Sequence, residues 1–456
     1  MLKIPLKLSA AQIQQILYPD GPPKVVVKSK LYSGCYGGNN TNVGDIIVTD
    51  VTCKNEPISM ENKQIIFLID ESGSMEDVMP AVRNSMLTMR NAFVRLLLPA
   101  DFPTMTEEML DVRFSELCTV SIITFSATAQ CKWQSIKEQS IKEQNYSTSA
   151  YSEVIRNLAA DTTTNLGAAL ELAATKFLPD NATWVIILTD GKANVGDHTT
   201  HESFRTLIRN WSSRIKIIPL GYGTEIDPEL LSTLGSMIYI DSEEIIAPTL
   251  AGIAAEIVTS YGVAAVLAIP RLSVEYEKLP EARDVIGSVR VGTLFNDRSF
   301  THGLVLHGTL LLPEVVQRYI GHGCCLTYYD LQRKTTVRCR FQIQGGNAVP
   351  DEVCEKYFAA STARILLGLQ KNRDLSYLDL IRRKLEDWQH PIANAYKADV
   401  EHVIANITDQ RHMLAVHSMA SAMSSQNANY AAPGTQTPTV NRAVRDALND
   451  FLLYSQ

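Results

Sequence analysis

Asp70, Ser72 and Ser74 stand at alternate positions where the apolar run QIIFLID (64–70) gives way to the turn ESGS. A carboxylate at the end of a buried strand, followed by hydroxyls on the turn into a helix, points three oxygens at one place. Hard cations such as Mg²⁺ take oxygen ligands in near-octahedral geometry and keep several waters. Hydroxyl ligands are neutral, so an ion held by them stays strongly positive and attracts an outside carboxylate. Two more oxygens fit the same chemistry. Thr164 lies in TTTNLGAAL at the head of a helix, and Asp190 ends the run TWVIILTD (183–190) before Gly191. A D-x-S-x-S pattern alone is a weak signal. Joined to the strand before it, to Thr164 and to LTDG, it is specific.

Other candidates lose to plainer readings. His198 and His201 in GDHTTHE have a spacing that fits zinc, but no third ligand presents itself, and a solvated loop is expected. Gly221-Tyr222-Gly223 lacks the third glycine of a dinucleotide fingerprint and reads as a turn. Ser72 lacks the G-x-S-x-G elbow of a hydrolase nucleophile. No catalytic residue is assigned.

The elements around these oxygens alternate apolar strands with amphipathic helices, as in a parallel sheet covered on both faces. Strands are expected at 64–70, 120–126, 183–190, 215–223 and 238–242, with an antiparallel edge strand in AQCKWQSI. Helices are expected at about 79–98, 165–177, 202–214, 227–236 and 245–260. That makes a doubly wound α/β unit of six strands, whose ligands sit at the carboxyl ends of the central strands.

The flanks differ in character. KVVVKSKLY and DIIVTDVTC are β-rich, and 262–345 reads as short strands including AAVLAIP, LSVEYEKL, SVRVGTL, CCLTYYDL and TTVRCRFQI, the spacing of a small β-sandwich. Two early strands make no stable sheet alone. The expected organisation is therefore a terminal segment (1–23), strands (24–60) that pair with a later sandwich (262–347), and the α/β domain (61–261) inserted between them. A helical region (348–420), a tether (421–439) and an amphipathic C-terminal helix (440–456) follow, the last carrying Val440, Val444, Leu448, Phe451 and Leu452 on one stripe.

The five-residue set on this framework resembles the von Willebrand factor A-type domain with its metal-ion-dependent adhesion site. The resemblance implies that Ser72, Ser74 and Thr164 coordinate metal through hydroxyls and that Asp70 and Asp190 act directly or through water. It also leaves a sixth position for a partner's Asp or Glu. Members commonly carry two glycines before the threonine, where this chain has Thr162 and Thr163, so Thr163 is the alternative ligand. The later stretch VRVGTLFNDRSFTHGLVLHGTLLLP with CCLTYYDL resembles the Vwaint region that follows such domains. Plant relatives of this arrangement add a RING domain, but the eight cysteines here form no CxxC pair, so ligase activity is not carried over.

Bulk properties narrow the partners. A net charge of −7 without a dense basic run argues against nucleic acid. No run of ~18 apolar residues suggests a membrane span, and no leader is evident at the start. Reduced thiols in a cytoplasmic setting are the simpler reading of the cysteines. The expected function is a non-enzymatic protein-interaction module in which a partner's Asp or Glu completes a Mg²⁺ site, with Mn²⁺ or Ca²⁺ as other occupants. The alternatives are an assembly protein whose sandwich and terminal helices make the contacts, and a Mg²⁺-dependent phosphohydrolase, which the few charged ligands disfavour.

Overall fold

The computed structural model describes residues 25–32, 45–53, 59–135, 150–160, 163–235, 237–240, 242–268, 288–295, 299–306, 324–341, 343–346 and 391–409, with Leu366, Glu386, Met413, Leu414 and Val416. The expected segment 1–23, the strand LSVEYEKL, the tether and the C-terminal helix lie outside these residues, as does most of the helical stretch before 391.

Two strands open the described chain, β1 (Val25–Tyr32) and β2 (Asp45–Cys53). An alternation follows through β3 (Lys63–Asp70), α1 (Met79–Leu97), α2 (Glu107–Leu117), β4 (Thr119–Phe125), β5 (Ala129–Gln134) and α3 (Tyr151–Arg156). It continues with α4 (Leu166–Ala174), β6 (Ala182–Thr189), α5 (His201–Ile208), β7 (Ile215–Tyr222), α6 (Pro228–Leu234), β8 (Ile238–Ile240) and α7 (Ile246–Thr259). After these come β9 (Ser260–Ala268), β10 (Ser288–Phe295), β11 (Ser299–Leu306), β12 (Cys325–Asp330), β13 (Thr335–Arg340), β14 (Ile343–Gly346) and α8 (Pro391–Ala405).

Strands β3 to β8 form one six-stranded sheet in the order β5-β4-β3-β6-β7-β8, parallel except for β5. Every residue of β3, β4 and β6 is buried, as continuous apolar runs demand of strands covered on both faces. Alternate residues of β3 feed two cores. Ile65, Phe67 and Ile69 pack with Met86, Phe93, Leu250 and Ile253 of α1 and α7, while Ile66 and Leu68 pack with Leu170, Phe204 and Leu231 of α4, α5 and α6. The chain leaves β3 in one direction through β4 and β5, then returns to its other side through β6, β7 and β8. The switch point therefore lies between β3 and β6, and a crevice opens at their carboxyl ends. The register pairs Ile69 with Leu188, which brings Asp70 level with Thr189.

Three elements depart from the expected pattern. The segment between β3 and β4 holds a second helix, α2, and α3 lies between β5 and α4. Helix α5 also ends at Ile208 rather than near residue 214. Trp211 closes a turn onto Ile208 there and packs edge-on against Phe177 at 4.8 Å, so the chain turns early into β7.

The remaining strands make two four-stranded sheets, β11-β2-β1-β14 and β10-β9-β12-β13. The eight residues of β2 from Asp45 to Thr52 pair antiparallel with β11, and β1 pairs in parallel with β14. In chain order the six-stranded unit thus lies between strands of one sheet. Helix α7 runs into β9 without an intervening residue. At that junction the buried Lys63 amine donates to the carbonyls of Ile257 (2.9 Å) and Val258 (2.8 Å), filling acceptors that a helix end leaves open. Burial pushes this amine down to about 7. Asn62 donates to the Leu331 carbonyl at 2.7 Å, and the Arg214 guanidinium lies 4.6 Å from the Tyr329 ring centroid. The joint with β12 sits at the opposite end of β3 from Asp70.

Candidate metal centre

The five oxygens come from three turns at the switch point. Asp70 ends β3 fully buried, and the chain turns through Ser72 into a single turn of tight helix at Gly73–Met75. The Ser72 amide donates to Asp70 Oδ1 at 2.9 Å, which fixes that carboxylate against its own turn. Ser72 and Ser74 hydroxyls lie 3.1 Å apart, and Ser74 Oγ donates to Asp190 Oδ1 at 2.7 Å. Thr189, the last residue of β6, donates its hydroxyl to Asp70 Oδ2 at 2.5 Å.

Thr164 is buried just before α4, whose N-cap Asn165 accepts from the Ala168 amide. A Cβ at Gly191 would stand 3.2 Å from Thr164 Oγ1 and 4.0 Å from Asp70 Oδ2, so that hydroxyl and that carboxylate face the same small space. The structure therefore gathers all five expected residues at one edge. Thr163 Oγ1 is buried without a hydrogen-bond partner among the described residues. Gly191→Ala would press its methyl on Thr164, and it is expected to weaken Mn²⁺ affinity about tenfold in a calorimetric titration. Unchanged affinity would show that Thr164 yields freely.

Electrostatics set this edge apart. Burial pushes the Asp70 carboxyl up to about 6, against the hydrogen bonds from Thr189 and Ser72 that favour its ionised form, and the Asp190 charge adds to the rise. Burial raises Asp190 as well, opposed by the Ser74 hydroxyl. Among the described residues no basic side chain contributes to either carboxyl. Two desolvated carboxylates facing hydroxyls without a counter-charge are an oxygen donor set suited to a hard divalent cation. Among the described residues no group of three or more His, Cys, Asp or Glu side chains is arranged for a metal.

Around the set are contacts that spacing alone does not announce. Glu71 Oε1 accepts from the Ala159 amide at 3.3 Å, and its other oxygen is 3.9 Å from the Lys132 amine. Asn194 Oδ1 accepts from the Thr164 amide, and the Asn194 amide donates to the Thr164 carbonyl, both at 3.2 Å. The signal for Thr189 was present, since a hydroxyl directly before the acid of LTDG ends a strand in register with Asp70. The two histidines diverge. His198 meets Glu171 at 3.2 Å and His201 meets Asp227 at 3.0 Å, so they share no ligand. Gly223 takes φ +76°, as a turn glycine does.

The family model for the von Willebrand factor type A domain matches residues 64–239. No curated protein matches the chain. Among solved structures, a von Willebrand factor type A protein from Catenulispora acidiphila is 15% identical over 86% of this chain and 89% of its own, with a TM-score of 0.48. The ArnB paralog VWA2 from Sulfolobus acidocaldarius is 14% identical over 88% of this chain and 99% of its own, with a TM-score of 0.48. Proximal thread matrix protein 1 from the mussel byssus, in a form with a zinc-occupied MIDAS motif, is 16% identical over 46% of this chain and 51% of its own, with a TM-score of 0.32. With the doubly wound sheet in place and the family model matched from β3 to β8, residues 64–239 are a von Willebrand factor type A domain.

Proposed function

We propose that this chain holds a divalent cation, Mg²⁺ in the first instance, with Asp70, Ser72, Ser74, Thr164 and Asp190, and uses it to grip an acidic side chain of a protein partner. Domains of this family are commonly protein-interaction modules. The observation that carries the reading is the pair of buried carboxylates, Asp70 and Asp190, linked through Ser72 and Ser74 with no basic partner among the described residues. When bound, a divalent cation supplies a positive centre that an outside carboxylate can approach. The chain's own residues do the rest. Asp70 and Asp190 bring negative charge, the three hydroxyls offer neutral oxygens, and Thr189 keeps one Asp70 oxygen oriented by hydrogen bonding. Three neutral donors leave more of the cation's charge for the partner than three carboxylates would.

The same reading makes the domain non-catalytic, as domains of this family generally are. The setting proposed with it is the cytoplasm, where thiols such as those of Cys325 and Cys339 stay reduced. The test is calorimetric titration of Mg²⁺, then Mn²⁺, into EDTA-stripped protein, with Asp70→Ala beside the wild type. Binding by the wild type alone, followed by metal-dependent capture of an acidic partner, is the expected result. Partner capture retained by Asp70→Ala or in EDTA would overturn it and shift the contacts to the flanking sheets.

A further inference from the structure

The turns that carry the five oxygens are joined in a ring. Ser74 reaches Asp190, linking the turn after β3 to the turn after β6. Glu71 reaches Ala159, linking the turn after β3 to the segment before α4. The third side of the ring is Asn194, which clasps Thr164 from the turn after β6 with both its side-chain carbonyl and its own amide. We infer that Asn194 is a positioning residue for the metal centre, holding the backbone of Thr164 so that its hydroxyl faces Asp70. This inference rests on the metal reading above.

The chemistry of the clasp explains the residue type. One residue must offer an acceptor to the Thr164 N–H while its main chain donates to the Thr164 carbonyl. An asparagine side chain is long enough to return to the level of its own amide and presents a carbonyl oxygen there. Alanine keeps the main-chain donor and loses the acceptor. Thr164 stands outside α4, in a stretch without helical hydrogen bonds of its own, so the amide has no alternative partner within a helix. Gly191 lets the two turns come this close, since a Cβ there would already press on Thr164 Oγ1. Asn194 itself is exposed, so its loss leaves the cores intact. Groups that orient a ligand without touching the metal are commonly worth 10–100-fold in affinity.

The experiment compares full-length wild type, Asn194→Ala and Asn194→Asp, with Mn²⁺ as probe and hydrogen exchange at the Thr164 amide as a second readout in EDTA. Asn194→Ala is expected to weaken Mn²⁺ binding about tenfold while shifting the metal-free Tm by less than about 3 °C. Its Thr164 amide should exchange much faster than in the wild type. Asn194→Asp keeps the acceptor, so it should restore both the affinity and the slow exchange. Recovery of exchange without metal separates the clasp from any help the new charge gives the cation. Wild-type affinity in Asn194→Ala, or Thr164 exchange unchanged by it, would overturn the inference. If the wild type takes up no Mn²⁺, the metal reading fails by itself. Exchange in EDTA then still decides the clasp, for it if Asn194→Ala accelerates Thr164 and Asn194→Asp does not, against it otherwise.

Discussion

Asp70→Asn is expected to abolish metal uptake and, in EDTA at neutral pH, to make the protein more stable by up to about 3 kcal/mol. The size follows from a carboxyl raised from 3.8 to about 6 by burial, at about 1.4 kcal/mol per pH unit. The direction follows from proton binding. Between pH 4 and 6 the folded state holds a proton on Asp70 that the unfolded chain has released. Metal-free wild type therefore loses stability as pH rises through that window and stays at the lower level above it. Asparagine has the same shape, can accept from the Ser72 amide through its oxygen and donate toward Thr189 through its nitrogen, and does not titrate. Urea midpoints in EDTA from pH 3.5 to 8 should fall across that window for the wild type and show less slope in the variant. A variant less stable than the wild type at pH 7.5 would sink the account.

With metal present the order should reverse. A ligand at a hundred times its Kd adds about 2.7 kcal/mol to the wild type and nothing to a variant that does not bind it. Below about pH 6 the same cation competes with the proton on Asp70, so affinity should fall as pH drops through that value. Destabilisation of the empty site and affinity for the cation are two faces of one arrangement, a carboxylate removed from water before its counter-charge arrives. The far end of β3 differs. There Lys63 and Asn62 donate to protein carbonyls at the α7 and β12 junctions.

How legible these parts were in the sequence depends on which physics wrote them. Strands β3, β4 and β6 are buried on both faces, so they appear as unbroken apolar runs, and the alternation with helices makes the doubly wound sheet readable. The five oxygens were readable because each stands at a strand end or helix start in a fixed local pattern. Helix α2 was hidden because its pattern runs against burial. Asp111 and Ser115 face inward beside Leu110 and Phe114 while Met109 and Val112 are 46% and 50% exposed, so its apolar stripe is interrupted by polar residues and blurred by apolar ones on the outer face. Its one local sign is Thr106, whose hydroxyl caps the Met109 amide ahead of Glu107 and Glu108. Glu71 and Asn194 were hidden for another reason. Their partners lie 88 and 30 positions away in the chain, and no local pattern encodes a hydrogen bond between turns.

The inward-facing Asp111 also carries the largest expected loss of stability. Its Oδ1 pairs with the guanidinium of Arg90, 2% exposed on α1, and its Oδ2 accepts from the amide (3.0 Å) and hydroxyl (2.6 Å) of Ser152 at the start of α3. One carboxylate thus ties three helices over an aromatic group in which Trp133 and Tyr151 meet edge-on at 5.2 Å. Asp111→Ala strands the guanidinium in the core with Asn91 as its remaining close partner and Glu107 at 3.9 Å, and it should cost about 3–5 kcal/mol. The double change Arg90→Met with Asp111→Leu removes both charges and should recover most of that loss, because the penalty comes from an unpaired charge and not from a missing attraction. Urea unfolding followed by tryptophan emission reads both variants, as Trp133 lies within the affected cluster. A single variant that loses less than about 1 kcal/mol would mean that water reaches Arg90 when Asp111 is gone. A double variant no better than the single would instead make Ser152, and through it the seating of α3 ahead of Thr164, the principal beneficiary of Asp111.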